Sequence, residues 1–217
     1  DNDFTKPQAF HESPVTRSGG IAALTSLSIL YGIYFLLYSE ILYDYILISY
    51  SMFFVGFLDD LKIKIQPFKR LIIMLILLFL IIYLLPIKIF NIDVSFLIFL
   101  MNNHLFSSIF VILCFLFVIN GANLIDGFNG LLTINLIIIN IILVYVNVDN
   151  ANTKFSFLLL AQIIILLSFL LFNFPKAKIF LGDSGAYLMG SLIAINVITT
   201  NNLNPDISSF FFCTLLF

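Results

Sequence analysis

Seven long apolar runs constrain this chain more than any other feature of its sequence. A helix that crosses the hydrocarbon core of a bilayer needs about 20 apolar residues, and fewer at the short end of the range. The runs are residues 20–38, 41–58, 71–85, 105–119, 131–146, 155–172 and 186–199, and an eighth begins near Ile207. None shows the period-two alternation of a β-barrel strand, so the runs predict transmembrane helices.

The composition supports the same interpretation. Hydrophobic residues make up 61% of the 217 residues, charged residues make up 10%, and the mean hydropathy is +1.12. A soluble domain is about 45–50% apolar and about 25% charged. We therefore predict an all-α, polytopic transmembrane bundle of seven to eight spans, with residues 1–217 forming one domain. Because the chain starts with Asp1 and stops at Phe217 within an apolar run, we expect a fragment truncated at both ends.

The basic residues indicate which side of the membrane faces the cytoplasm. With alternating connections, one side holds the N-terminal segment and residues 59–70, 120–130 and 173–183. This side carries eight of the ten Lys and Arg residues, and only Lys88 and Lys154 fall on the other. The positive-inside rule predicts that the basic side is cytoplasmic. The net charge of −2 offers no electrostatic footprint for a nucleic acid, so we expect no such partner.

Four polar segments that contain glycine lie on this basic side. They are 11–20 (His-Glu-Ser-Pro-Val-Thr-Arg-Ser-Gly-Gly), 56–60 (Gly-Phe-Leu-Asp-Asp), 120–130 (Asn-Gly-Ala-Asn-Leu-Ile-Asp-Gly-Phe-Asn-Gly) and 180–185 (Phe-Leu-Gly-Asp-Ser-Gly). Polar residues of the opposite connections are scattered and have no glycine among them. The pattern predicts one composite site on the basic side.

Asp59 and Asp60 end a predicted span. Adjacent carboxylates at a bilayer edge repel each other and are costly to desolvate, so a cation or basic residues must offset their charge. The alternative is a solvated helix end beside Lys62 and Lys64.

Asn120, Asn123 and Asp126 recur at intervals of three residues. If the preceding helix continues, their side chains project from one face, where oxygen ligands suit a hard cation or a polar nucleotide. The alternative is a polar turn in which Asn129 caps the helix that begins near Leu131.

Asp183 lies between Gly182 and Ser184, just before another span. Small residues allow close approach to the backbone, and a helix start directs free amides at anions. Alternatively, Asp183 is simply the N-cap of its helix. His11 and Arg17, at the start of the first span, are suited to bind phosphate or to anchor the helix at anionic headgroups.

The four segments resemble, in order and in kind, the polyprenyl-phosphate N-acetylhexosamine-1-phosphate transferase superfamily of glycosyltransferase family 4. The shared pattern is Pro-x-x-Arg-x-Gly-Gly, Gly-x-x-Asp-Asp, Asn-x-x-Asn-x-x-Asp-Gly-x-x-Gly and Phe-x-Gly-Asp-x-Gly, between about residues 11 and 190. The resemblance implies transfer of a sugar-1-phosphate from a UDP-N-acetylhexosamine to undecaprenyl phosphate, with release of UMP. The implied location is the cytoplasmic face of a bacterial inner membrane, among membrane lipids, and a homodimer is one expected assembly.

The resemblance also implies roles for individual residues. Mg²⁺, with Mn²⁺ as an alternative metal, would bind Asn123 and Asp183. Asp59 and Asp60 would position or deprotonate the lipid phosphate, and Asp126 would bind substrate or support catalysis. The remaining substrate-binding candidates are His11, Arg17, Asn120, Gly182, Lys69 and Arg70.

Some features depart from the family pattern. Asn129 stands where many members have a second acidic residue, and both the usual first span and the later His-rich loop are absent from the sequence. The segment around Arg17 is closer to the initiators of O-antigen and teichoic acid synthesis than to the lipid I enzyme, which favours N-acetylglucosamine as the sugar. The competing interpretation is an ion-coupled secondary transporter, whose charged residues would lie near the membrane midplane.

Overall fold

The computed structural model describes residues 15–61, 63, 65–85 and 87–216, so His11 lies outside the described residues. This part of the chain is helical. Its helices are α1 (Gly19–Tyr38), α2 (Tyr43–Asp60), α3 (Pro67–Leu84), α4 (Ser95–Met101), α5 (His104–Ile125), α6 (Leu131–Asp149), α7 (Thr153–Asn173), α8 (Gly182–Leu203) and α9 (Ser209–Thr214). The predicted all-α helical bundle is confirmed.

Each predicted span corresponds to one of the seven long helices. By length and composition, α1, α3, α5, α6 and α7 can each cross a membrane. The other two long helices are more polar, because α2 carries Asp44, Asp59 and Asp60 and α8 contains many Ser, Thr and Asn residues. At a rise of about 1.5 Å per residue, both have nearly the same reach as their neighbours. The short helix α9 lies in the eighth apolar run, which begins near Ile207, and the short helix α4 was not predicted.

Helix α8 forms the centre of the bundle. Eighteen of its 22 residues are buried, and it packs against α1, α2, α5 and α6. The helices around it expose large apolar side chains such as Leu36, Tyr83 and Leu171 on their outer faces. Helix α8 can therefore be polar because protein, rather than lipid, surrounds it.

The ends of the helices gather at one end of the bundle, which we call the site end. The starts of α1 and α8 are hydrogen-bonded to each other, the end of α2 contacts the start of α8, and the end of α7 is bonded to the residue before α6. The described parts of the four polar segments are attached to these helix ends. The bundle therefore brings them to one side, as their alternation between spans predicted.

Buried amides tie α8 to its neighbours away from the site end. The Asn196 Oδ1 atom accepts a hydrogen bond from the Tyr45 hydroxyl at 3.0 Å. The Asn196 Nδ2 atom donates to Asn140 Oδ1 at 3.1 Å and to Gln162 Oε1 at 2.7 Å. One side chain thus joins α8 to α2, α6 and α7. Such interhelical hydrogen bonds hold membrane helices together where apolar contact alone discriminates little between helix and lipid.

We expect Asn196→Ala to destabilise the bundle because it leaves three buried polar groups without this partner. The expected loss is about 1–3 kcal/mol, seen as a lower midpoint of thermal unfolding in detergent. Asn135→Ala is the matched control, since Asn135 is exposed and, among the described residues, its side chain donates to the Leu131 carbonyl of its own helix. Equal midpoints for the two variants would contradict this assignment.

Candidate active site

The residues before α1 are tied to the residues before α8. Thr16 and Ile179 form a parallel bridge, in which the Phe180 N–H donates to the Thr16 carbonyl at 2.8 Å. The Gly19 and Gly20 N–H groups then donate to the carbonyls of Phe180 and Leu181 at 3.0 and 2.9 Å. This short pairing places Arg17 beside the first turn of α8.

Glycines allow three helices to meet closely around that turn. A Cβ atom on Gly20 would collide with the Ser184 side chain, and one on Gly56 would collide with the Asp183 carbonyl. The glycines of the motifs therefore serve helix packing at the site end. They bring the starts of α1 and α8 and the last turn of α2 within backbone contact.

The Asp60 carboxylate caps the start of α8. Its Oδ1 atom accepts from the Asp183 N–H at 3.1 Å, and its Oδ2 atom accepts from the Ser184 N–H at 3.0 Å and the Ser184 hydroxyl at 2.6 Å. The first amides of α8 thus bind an anion, as the sequence suggested, and that anion is a side chain of the protein.

Gly182 is shaped to accept this carboxylate. Its φ of +78° is a conformation that favours glycine, and a Cβ atom there would lie 2.6 Å from Asp60 Oδ2. The alternative that Asp183 is the N-cap is wrong, because the N-cap residue is Leu181. The Leu181 side chain makes no capping hydrogen bond, and Asp60 of α2 caps the helix instead. The Asp183 carboxylate is left to face the site, and its side chain is 25% exposed.

Arg17 lies between two carboxylates. Its Nη1 atom is 3.8 Å from Asp60 Oδ1 and 3.8 Å from Asp183 Oδ2. The Arg17 side chain is 40% exposed, so the guanidinium is also accessible from outside. A partly exposed cation between two acids offsets their repulsion and remains available to an anionic ligand.

A second arginine neutralises the other acid at the end of α2. Arg70, on the first turn of α3, forms an ion pair with Asp59, and its guanidinium carbon lies 5.4 Å from the ring centroid of Tyr187. The predicted need for basic groups beside Asp59 and Asp60 is thus met by two arginines. The side chains of Lys62 and Lys64 lie outside the described residues, and the exposed Lys69 forms no ion pair with a described residue.

Helix α5 continues past its apolar run, so the predicted face of Asn120, Asn123 and Asp126 is formed. The Asn120 amide donates to the Leu116 carbonyl at 2.7 Å, and Asp126 is the C-cap residue. The alternative in which Asn129 caps α6 is wrong. Gly130 is the N-cap, and Asn129 Nδ2 donates to the Pro175 carbonyl at 3.2 Å.

Asp126 belongs electrostatically to the same cluster. Burial, and to a smaller extent the negative charges of Asp183 and Asp60, raise the pKa of its carboxyl, whereas Arg17 lowers it, and the net result is a pKa of about 7. Asp126, at the end of α5, is therefore close enough to interact with the acids at the start of α8 and the end of α2. The structure brings together Arg17, Asp60, Asp126 and Asp183 from four separate segments.

The oxygen ligands of this cluster suit a magnesium ion that is shared with a phosphate. Among the described residues, no group of three or more His, Cys, Asp or Glu side chains is close enough to hold a metal alone. Mg²⁺ is commonly held by one or two carboxylates, with water and substrate phosphates completing its octahedron. Asp126 and Asp183 are carboxylates of this kind, and Asn123 lies about one helical turn before Asp126 on α5.

Comparison with known proteins identifies the family of this chain. The sequence profile described as Glycosyl transferase family 4 matches residues 42–201, about three quarters of the chain, including every acid of the cluster. The chain belongs to glycosyl transferase family 4. Its curated relatives include the phospho-N-acetylmuramoyl-pentapeptide-transferases of Leuconostoc mesenteroides and Leuconostoc citreum. Each is 35% identical over 79 residues, which are 36% of this chain and 25% of the relative.

Sequence reasoning missed three residues that shape the site of this family 4 chain. Ser184 donates its hydroxyl to Asp60, and Tyr187 packs beneath Arg70. Asn173 accepts from the Gly130 N–H at 2.6 Å and donates to the Ile179 carbonyl at 3.0 Å, which joins two loops of the site end. Only Tyr187 had a usable signal, since it follows Asp183 by four residues and so lies on the same helix face.

We expect Asp60→Ala to lower the unfolding midpoint because the first turn of α8 loses its cap. A lost N-terminal cap costs about 1 kcal/mol, and a buried amide left unpaired adds to this. Asp60→Asn keeps one acceptor oxygen, so its unfolding midpoint should lie between those of the wild type and Asp60→Ala. The exposed Asp206 offers the control Asp206→Ala. A midpoint for Asp60→Ala that equals this control would contradict the capping role.

We expect Asp126→Asn to stabilise the protein in EDTA at neutral and higher pH. The pKa of about 7 in the folded state lies above the ordinary value of 3.8, so the native state loses stability as pH rises from about 4 through 7. The variant cannot ionise at this position, so its free energy of unfolding above pH 7 should exceed that of the wild type by on the order of 1 kcal/mol, the size expected for a half-buried group. Unfolding midpoints of both proteins from pH 4 to 9 test this, and a difference that does not change with pH would refute it.

Proposed function

We propose that this family 4 chain transfers a sugar-1-phosphate from a UDP-sugar to a polyprenyl phosphate and releases UMP. The observation that carries the proposal is the cluster at the site end, where Arg17 lies between Asp60 and Asp183 and Asp126 is near. The curated relatives that the chain matches are named phospho-N-acetylmuramoyl-pentapeptide-transferases. Since the alignment covers a quarter of each relative, the activity of the whole protein is part of the proposal.

The position of the cluster suits one substrate in lipid and another in water. The acids and arginines are at the ends of long apolar helices, on the side where eight of the ten Lys and Arg residues are predicted. The positive-inside rule predicts that this side faces the cytoplasm. A polyprenyl chain can remain among the helices' lipid neighbours there while a nucleotide approaches from the cytoplasm.

In the proposed reaction, a lipid phosphate oxygen attacks the β-phosphorus of the UDP-sugar and the bond to the UMP oxygen breaks. Arg17 is placed to stabilise negative charge on the diphosphate, since it is partly exposed beside the acids. Asp60 already accepts three hydrogen bonds from α8, which favours a positioning role over proton abstraction. Asp126, near the acids at the start of α8, would support catalysis by holding substrate or metal.

A magnesium ion fits this proposal. Asn123, Asp126 and Asp183 are the oxygen ligands that would hold it, with phosphate oxygens of the nucleotide completing the set. When bound, the ion would neutralise charge that develops on the leaving phosphate. Its presence would also relieve the repulsion among carboxylates that Arg17 alone only partly offsets.

The sugar is the least constrained part of the proposal. The segment around Arg17 favours N-acetylglucosamine, whereas the matched relatives are named for phospho-N-acetylmuramoyl-pentapeptide. Both donors are UDP-N-acetylhexosamines, so the shared chemistry is a uridine diphosphate linked to an acetamido sugar. We therefore test both donors.

The transporter interpretation is less favoured. A carrier usually has ionisable groups near the midplane, reachable from each side in turn. Away from both ends of the bundle, the described polar groups between helices include the neutral amides Asn140, Gln162 and Asn196, which bond to one another. The acids that could hold an ion are grouped at the site end.

The test is UMP release by the protein in membranes with undecaprenyl phosphate and a panel of UDP-sugars, including N-acetylglucosamine and N-acetylmuramoyl-pentapeptide. We expect release to require both the lipid phosphate and Mg²⁺, and to stop with EDTA. Asp183→Asn and Asp126→Asn should each lower the rate roughly 100-fold or more, because groups that stabilise a charged transition state have effects of this size.

Two controls make the result specific. Asp149→Asn changes an exposed acid at the other end of α6 and should leave the rate unchanged. Membrane insertion of each variant is followed by a C-terminal fluorescent fusion. Well-inserted protein that releases no UMP from any donor would refute the transferase proposal, and unchanged rates in both site variants would refute the residue assignment.

A further inference from the structure

Tyr187, at the edge of the acid cluster, has a buried hydroxyl group without a hydrogen-bond partner among the described residues. The residue is fully buried, and its hydroxyl makes no hydrogen bond among the described residues. Leaving a buried hydroxyl unpaired disfavours the folded state, so such groups in native proteins usually have a ligand or a specific role. Tyr31 and Tyr45, two other buried tyrosines, bond to Ser49 and Asn196. Tyr187 is thus unlike these tyrosines of the same bundle.

The surroundings of this hydroxyl suit an anion that carries several acceptor oxygens. The Arg70 guanidinium lies over the Tyr187 ring, and the hydroxyl is within electrostatic range of Arg70, Asp183 and Asp60. Two acids repel a bare anion, but Arg17 and Arg70 are both near enough to offset part of that negative charge. A phosphate that pairs with Arg70 is also within reach of a donor on the ring beneath it.

We propose that the Tyr187 hydroxyl and the Arg70 guanidinium together bind the phosphate of the lipid acceptor. In this state Arg70 shares its charge between Asp59 and the phosphate, and Tyr187 donates its O–H to a phosphate oxygen. The assignment rests on the proposed transferase function and adds a residue and a substrate to it.

The depth of Tyr187 favours the lipid phosphate over the nucleotide diphosphate. Tyr187 follows Asp183 by one helical turn, about 6 Å further into the bundle along α8. A nucleotide arrives from water and meets Asp183 and Arg17 first, since the Arg17 side chain is 40% exposed. The phosphate of a polyprenyl lipid is attached to a chain in the hydrocarbon and reaches the site from the membrane side.

The decisive variant is Tyr187→Phe, which keeps the ring beneath Arg70 and removes only the hydroxyl. We expect the KM for undecaprenyl phosphate to rise about tenfold, as for loss of one hydrogen bond to a charged group. The KM for the UDP-sugar and the kcat at saturating lipid should change less than twofold. Binding of undecaprenyl phosphate to protein in nanodiscs, without any UDP-sugar, should weaken by the same factor as the KM.

Tyr45→Phe is the matched control, because it removes a buried hydroxyl near the opposite end of α2. It should lower the unfolding midpoint and leave both KM values unchanged. If Tyr187→Phe binds undecaprenyl phosphate as tightly as the wild type does, the hydroxyl has no ligand role and the proposal is refuted, whatever the effect on the unfolding midpoint. A higher KM for the UDP-sugar alone would also refute it, because the phosphate would then be that of the nucleotide.

The binding measurement separates this inference from the proposed reaction. If the protein binds undecaprenyl phosphate through Tyr187 yet releases no UMP from any donor, the phosphate site is supported and the proposed transferase reaction is refuted. If the protein releases UMP and Tyr187→Phe behaves as the wild type in both assays, the reaction is supported and the phosphate site is refuted.

Discussion

The contact between the Asp60 carboxylate and the first turn of α8 organises the site end. It joins two helices that are far apart in sequence, and it places a negative charge where α8 presents unpaired amides. Arg17 then lies against the same carboxylate, which connects the segment before α1 to this pair. Asp183 is left with its side chain directed into the site because Asp60 has taken the capping position.

The glycines of the site serve mainly to make this contact possible. Gly182 adopts a positive φ with Asp60 against it, and Gly20 and Gly56 let neighbouring helices reach the same turn. A motif such as Gly-Asp-Ser-Gly suggests a loop that receives a ligand's phosphate. Here its first glycine receives a protein carboxylate, and the ligand-facing group is the aspartate beside it. The local pattern is the same in both cases, and only the packing distinguishes them.

The sequence was sufficient to predict the helical bundle and the common side of the four polar segments. The lengths of the apolar runs and the distribution of basic residues can be read from the sequence without knowledge of how the helices pack. The partners of Asp59 and Asp60 were not predictable in the same way, since Asp60 bonds to residues 123 and 124 positions away. Asn196 was also missed, because within an apolar run the sequence does not show which side faces the interior, whereas the spacing of Tyr187 from Asp183 was a signal that could have been used.

The burial of α8 has a consequence for how the protein is made. This helix has Asn196, Thr200 and Asn201 along its length, and nearly all of its surface is covered by other helices. Lipid alone is a poor environment for such a segment, since isolated polar groups in hydrocarbon are costly. Helices α1, α2, α5 and α6 precede it in the chain and can supply the polar and apolar partners it needs. Membrane integration of α8 is therefore cooperative with the helices synthesised before it, and the acid cluster is completed only at that late step of biogenesis.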